Sequence, residues 1–311
     1  MNTNPQQPTF TIFIPTYNRA HTLPRAFKSI EAQTFRDFEV VIVDDGSTDG
    51  TRELAADWKA KVDFEVQYHW QENQGKSAAH NSGVQHARGF FFVLLDSDDI
   101  LVPECLQLLK EGWDSIPDDK KCLFAGVEGL CINEDGTPTG TSFPADVFDS
   151  NYLEITRKYG VYGEKRNAIR TSVLREYPYP RISGERHMRD SIIWERMAHA
   201  YKFRYINRVV QVIAHQPDGL TRNVFRLRMQ NLRSFQYYWQ ESITFHTDYL
   251  DRKGLVRNYT QFVRYSLHVG IGYREQAKRV KSLQPWMMAL PRGTLEWIAD
   301  LIKKRLRKVA V

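Results

Sequence analysis

The chain has 311 residues, 42% of them hydrophobic and 26% charged, the balance of a soluble protein able to bury a substantial core. Its longest uninterrupted apolar run, Phe90 to Leu95, is far too short to span a bilayer, and the first five residues lack a signal-peptide pattern, so a cytoplasmic chain is expected. The formal charge is +6, and the three cysteines, Cys105, Cys122 and Cys131, form no zinc or redox spacing. No zinc-finger or RNA-binding aromatic signature accompanies the basic excess, so nucleic acid is not expected as a partner.

In chain order, Thr9 to Ile14 reads as a strand stopped by Pro15. Leu23, Ala26, Phe27 and Ile30 recur at helical spacing, with Thr22 as the expected N-cap and Pro24 in a first turn that tolerates it. A strand over Val40 to Val43, a helix over Thr51 to Lys61, a strand over Phe64 to Tyr68, a helix over Lys76 to His86 and a strand over Phe90 to Leu95 follow. This alternation predicts an α/β fold with a doubly wound, mainly parallel sheet flanked by helices.

Beyond Pro103 the pattern gives a helix with Leu106 and Leu109, an apolar stretch from Cys122 to Ile132 and a turn over Asn133 to Gly136. Residues 146 to 220 read as mixed, with a helix from Asp190 to Tyr201 and a strand from Phe203 to Val212. From Phe225 the pattern is helical, which sets a soft boundary between a core, residues 1–222, and a C-terminal helical extension, residues 223–311.

Two of the apolar strands end in carboxylates, Val43 in Asp44 and Asp45, and Leu95 in Asp96, Ser97, Asp98 and Asp99. Parallel strands place their carboxyl ends on one edge, where open α/β sheets bind ligands. Five aspartates crowded there are unfavourable without positive charge among them, which a hard divalent cation and a phosphate-bearing ligand would supply.

The segments Pro15-Thr16-Tyr17-Asn18-Arg19, Gln33-Thr34-Phe35, Val43 to Thr51, Asn73-Gln74-Gly75-Lys76, Asn81-Ser82-Gly83 and Leu95 to Asp99 occur in an order that resembles family 2 glycosyltransferases with the GT-A fold. The resemblance is close over the first third and fainter to about residue 223. It implies a bacterial surface-polysaccharide or glycolipid enzyme, inverting and metal-dependent, that moves a sugar from a nucleotide diphosphate sugar, with UDP favoured, to a saccharide or lipid-linked acceptor. Under it, Pro15, Thr16, Tyr17 and Arg19 contact the nucleotide and Asp45 hydrogen-bonds the base, although a carboxylate accepts from uracil and guanine alike. Asp96-Ser97-Asp98 matches the D-x-D element, with Asp98 as the direct ligand of Mn²⁺ or Mg²⁺ and Asp96 and His215 as further candidates. Asp99 is read instead as a cap of the following helix. Lys76, at a helix start after Gly75, faces phosphate or else is a solvated lysine.

The segment Gly184 to Trp194 resembles the family stretch that often reads Glu-Asp before an amphipathic helix. Asp190 matches the catalytic base and Glu185 is the fallback; Arg189 stands where the family commonly has an acid. That departure motivates one alternative, a non-catalytic nucleotide-sugar-binding subunit. A second alternative is a nucleotidyltransferase, whose Gly-rich basic loop is absent. Finally, Leu295, Ile298, Leu301, Ile302 and Leu306 recur at helical spacing before the cations Lys303 to Lys308. Such a helix either docks on the core or lies peripherally on an anionic membrane surface, at the inner face of the cell membrane.

Overall fold

The computed structural model describes residues 7–214 and 224–306. They divide into two compact units, one drawn from Met1–Tyr179 and Ile193–Pro217, the other from Pro180–Ile192 and Asp218–Val311.

In the first unit, β1 (Phe10–Thr16), α1 (Leu23–Glu31), β2 (Phe38–Asp44), α2 (Thr51–Lys59), β3 (Val66–Trp70), α3 (Lys76–His86) and β4 (Phe91–Leu94) alternate as the sequence pattern predicts. Their strands are all parallel in the order β3-β2-β1-β4, and Ile12 stands beside both Val40 and Val93. Every residue of β1 and β2 is buried, the continuous apolar reading of a parallel sheet covered on both faces. Leu23, Phe27 and Ile30 of α1 pack in the same core as Phe10, Ile12 and Ile14.

The rest of the unit comprises β5 (Ile100–Leu101), α4 (Cys105–Asp114), β6 (Phe124–Asn133), β7 (Val147–Ser150), α5 (Tyr152–Arg157), β8 (Lys165–Arg170), α6 (Thr171–Glu176), the end of α7 (Ser191–Met197) and β9 (Lys202–Ile213). Here β8 runs antiparallel between β4 and β6, β9 is parallel to β6, and β5 and β7 are antiparallel to β9. The nine-stranded sheet is thus parallel through its first four strands and mixed beyond them.

Three local expectations change. Pro15 does not stop β1, because β4 pairs with β1 only as far as Phe13, and the missing N–H falls on the side where the ladder has ended. Thr22 has helical backbone angles and makes no side-chain cap; its hydroxyl donates to the Arg19 carbonyl at 3.3 Å. Asp99 does not cap α4, whose N-cap position is Glu104. Its carboxylate instead takes hydrogen bonds from Gln211 and Ala214.

The second unit contains α8 (Val224–Gln230), α9 (Leu232–Phe245), α10 (Arg252–His268), α11 (Tyr273–Arg279) and α12 (Leu283–Leu306) around Ile243, Tyr259, Phe262, Val263, Trp286 and Ala289. A side chain at Gly293 of α12 would meet Val263 at 2.7 Å, so the lack of one sets the close approach of α10 and α12. Residues 180–192 also belong to this unit and are strapped along α9. Asn231 Oδ1 accepts the N–H groups of Arg186 and His187, both at 3.0 Å, and the Arg189 guanidinium lies over Tyr238, 4.5 Å from the ring centre.

Candidate active site at the carboxyl edge of the sheet

The loop after β1 is laced to the loop after β2. Asn18, the single residue other than glycine with positive φ among those described, accepts from Thr48 N–H at 2.8 Å and donates its own N–H to Ser47 Oγ at 2.8 Å. Ala20 N–H donates to Asp49, and Arg19 N–H to Thr51 Oγ1. This bracing leaves Tyr17 48% exposed and Arg19 partly so at the edge. Thr16 is buried beneath them, and its Oγ1 has no hydrogen-bond partner among the described residues.

The aspartates separate by what already binds them. Asp44 is fully buried and closes its own turn, accepting from Ser47 N–H at 2.7 Å and Tyr68 Oη at 2.5 Å. Asp45 accepts from Gln71 Nε2 at 2.7 Å, Gln74 N–H at 2.9 Å and Gly75 N–H at 2.7 Å. It therefore pins the loop that leads into α3, where Gly75 adopts a φ of 92° that glycine alone takes readily. Any bond from Asp45 to a base uses the acceptor capacity left after these three.

Asp96, just past β4, pairs with Lys76 Nζ at 2.6 Å and with Arg166 Nη2 at 3.4 Å. Burial opposes its ionised form, but Lys76 and then Arg166 outweigh that and lower its pKa. Arg166 is itself buried and donates Nε–H to Gln211 Oε1 at 2.5 Å. Gln211 passes its Nε2–H to Asp99 at 2.6 Å, while Ala214 N–H donates to the other Asp99 oxygen at 3.0 Å. Burial, followed by the charge of Asp96, pushes the Asp99 carboxyl up to about 7.

Asp98 differs from all of these. It makes no ion pair with a described residue, and burial together with the Asp96 charge raises its pKa. Ser97 between the two is buried. No cluster of three or more Asp, Glu, His or Cys among the described residues is arranged to hold a metal ion. A site built only from protein is therefore not what these residues offer. One carboxylate outside any described ion pair, beside one that is paired, fits a hard divalent ion whose remaining ligands are phosphate and water oxygens. His215, and the stretch from Asp218 to Asn223, lie outside the described residues.

The two candidate bases are placed differently within the second unit. Glu185 accepts Arg233 N–H at 2.8 Å and Ser234 N–H at 2.6 Å, so its carboxylate binds the free amides in the first turn of α9. Asp190 is exposed and immediately precedes α7.

Arg166 and Gln211 were not anticipated as site residues. Arg166 hides in Lys165-Arg166-Asn167, which reads as a solvated charged stretch, and only the antiparallel pairing of β8 with β4, with Ala168 opposite Val93, brings it beside Asp96. Gln211 sits inside an apolar strand, where a lone buried amide is the available signal.

With this geometry in view, the comparisons are direct. The profile described as Glycosyl transferase family 2 matches residues 11–177, more than half of the chain, and the chain belongs to that family. An uncharacterised glycosyltransferase of Rickettsia conorii is 39% identical over 126 residues, 40% of this chain and 20% of that protein, so the shared part spans about a fifth of such a relative. A Campylobacter jejuni protein named GalNAc(5)-diNAcBac-PP-undecaprenol beta-1,3-glucosyltransferase is 26% identical over 231 residues, 71% of each chain. Among solved structures, Staphylococcus aureus TarS in complex with UDP-GlcNAc superposes with a TM-score of 0.63 at 18% identity, covering 92% of this chain and 80% of that one. A Pyrobaculum calidifontis mannosyltransferase in complex with GDP-Man and Mn²⁺ gives 0.56 at 18% identity, covering 98% and 88%. These likenesses show the GT-A fold.

Proposed function

We propose that this chain transfers a sugar, with inversion, from a nucleoside diphosphate sugar to a saccharide or lipid-linked acceptor in the assembly of a bacterial polysaccharide or glycolipid. UDP is the favoured carrier and Mn²⁺ or Mg²⁺ the metal. The observation that carries the reading is the unequal state of Asp96 and Asp98 at the end of β4, one ion-paired with Lys76 and Arg166 and the other in no ion pair with a described residue. Family membership and the metal and nucleotide sugars named in the neighbouring structures support it. The Campylobacter relative, named for a polyprenol-linked acceptor, supports the lipid-linked option.

In this reading Tyr17, Arg19 and the buried Thr16 hydroxyl bind the nucleoside, beside Pro15, and Asp45 fixes the loop that frames it. Asp98, with Asp96 beside it, would hold the divalent ion, which would supply positive charge to the diphosphate leaving group. Lys76, at the start of α3 where the helix dipole favours an anion, faces the same phosphates. Asp190 is proposed as the base on the strength of its place in the family segment. It takes the acceptor hydroxyl proton as the acceptor oxygen bonds the anomeric carbon and the bond to the diphosphate oxygen breaks. A diphosphate is a good leaving group that needs no proton donor, so one carboxylate would suffice where glycoside hydrolysis needs two. We assign donor binding to residues 1–222 and propose the cytoplasm as the place of the reaction.

The test is slow donor hydrolysis, followed by mass spectrometry over a panel of UDP and GDP sugars with Mn²⁺, Mg²⁺ or chelator. Release of one nucleoside diphosphate, dependent on metal, is expected. Binding without any release or transfer would favour the nucleotide-sugar-binding subunit, and absence of both would remove the reading.

A further inference from the structure

The C-terminal helix sorts its residues by charge. Of the 24 residues of α12, only Glu296 and Asp300 are acidic, and both turn toward α10. Asp300 is buried, paired with Arg264 at 2.6 Å and His268 at 3.0 Å, and these partners outweigh burial and lower its pKa. Glu296 accepts from Gln261 at 2.7 Å and from Arg264 at 3.2 Å, with Arg292 at 3.1 Å closing the pair from its own helix. Trp286, Ala289 and Gly293 complete the packed side.

The opposite side is apolar and open. Met287, Leu295, Ile298, Leu301, Ile302 and Leu306 are between 41% and 79% exposed. At 3.6 residues per turn they form one stripe, with Met288 and Leu283 extending it toward the start of the helix. An ordinary docked helix buries such a stripe; this one docks by its opposite side, through Trp286, Ala289, Gly293 and its two acids. Lys303, Lys304 and Arg305 end the stripe, and Arg307 and Lys308 follow in the sequence. No helix of the described residues is long and apolar enough to cross a membrane.

We propose that the outward face of α12 binds an anionic lipid surface, lying in the interface with its apolar stripe among acyl chains and its terminal cations at the headgroups. The charge sorting selects this occupant. A second copy of the chain would bring the same face, with cations and no outward carboxylate to meet them. The inference does not depend on the site at the sheet edge.

Co-sedimentation of the full chain with vesicles tests it, using phosphatidylcholine alone and phosphatidylcholine mixed with phosphatidylglycerol, at low and high salt. Binding only to the anionic vesicles, weakened by salt, is expected. Replacing Lys303, Lys304 and Arg305 together by Gln should lower partitioning by about 10²-fold, at roughly fivefold for each cation. The pair Ile298→Gln and Ile302→Gln should abolish it. All five positions lie on or beside exposed surface, and unchanged circular dichroism and donor binding would show that the variants remain folded. Equal recovery in the supernatant with both vesicle types, or equal binding to neutral and anionic ones, overturns the proposal. So does a dimer in lipid-free solution that the Ile298/Ile302 pair disrupts while vesicles capture nothing.

Discussion

The two ends of one sheet hold carboxylates in opposite conditions. Glu39, at the amino end of β2, is buried and takes hydrogen bonds from Thr11 Oγ1 at 2.7 Å, Arg88 N–H at 2.6 Å, Arg88 Nε at 2.8 Å and Gln67 Nε2 at 3.1 Å. Thr11 accepts in turn from Gly89 N–H at 2.8 Å, so the cluster ties β1, β2 and the entry to β4 together. At the carboxyl end, Asp98 stands near Asp96 and Asp99 in no ion pair with a described residue, and burial with the Asp96 charge disfavours its ionised form. A buried carboxylate whose lone pairs are filled by protein donors holds the fold. One left short of positive charge destabilises the empty protein and gains from whatever cation arrives. Sequence position alone does not separate the two, since both kinds flank apolar strands.

The largest effect should come from Asp98→Ala. A methyl group neither coordinates the ion nor offsets its charge, so calorimetric titration with donor and Mn²⁺ should show binding abolished. The melting temperature should hold or rise, because the substitution removes a carboxylate that burial and Asp96 already disfavour. Unchanged donor affinity would remove Asp98 from the metal site and undo the contrast with Glu39.

Next is the pair in the second unit. Asp190→Asn should keep donor affinity near wild type while transfer falls by about 10²-fold, the scale of losing a positioned base. Glu185→Gln should act on the fold instead, since its carboxylate serves the amides of α9, and helix caps are worth about 1 kcal/mol. Turnover surviving in Asp190→Asn and lost in Glu185→Gln would exchange the two roles.

Glu39→Ala is the mirror of the first experiment. It strands the buried Thr11 hydroxyl and removes the partners of the exposed Arg88, at a cost of about 1–3 kcal/mol, visible as a lower denaturant midpoint with donor affinity unchanged. A stable variant that no longer binds donor would make Glu39 part of the site.

How much of this was readable beforehand follows the same division. The parallel strands announced themselves because burial on both faces makes them continuously apolar, and α3 lies where a helix after Gly75 is expected, Lys76 to His86. The aspartates were legible as clusters at strand ends. Their charge states were not, because these depend on Arg166, which meets Asp96 from β8, and on Gln211, which meets Asp99 from β9, both 70 or more positions beyond Asp96 in the chain. β8 itself escaped notice because Lys165, Arg166 and Asn167 mask its alternation. The five apolar residues near the end of α12 were legible as a stripe, but only the structure shows which side packs.

His80 offers the smallest and most local test. It sits on α3 one turn after Lys76, fully enclosed among Phe13, Phe92 and Tyr179, and its Nδ1 has no partner among the described residues. Burial, reinforced by the Lys76 charge, pulls its pKa down to about 3 from 6.5. The folded value lies below the unfolded one, so below about 6.5 the unfolded chain takes up a proton that the native state refuses. Stability is therefore full above pH 6.5 and falls as pH drops from there toward 3, by up to about 1.4 kcal/mol for each pH unit once the unfolded histidine is protonated. His80→Leu keeps an apolar filling and removes this proton uptake. Between about pH 6.5 and 5.5 the wild type should lose roughly 1 kcal/mol more than the variant in urea unfolding. Parallel losses in the two proteins would mean that water or a proton reaches His80 in the native state. The carboxyl edge would then be open to solvent at a depth where these ring contacts place a dry wall beneath Lys76.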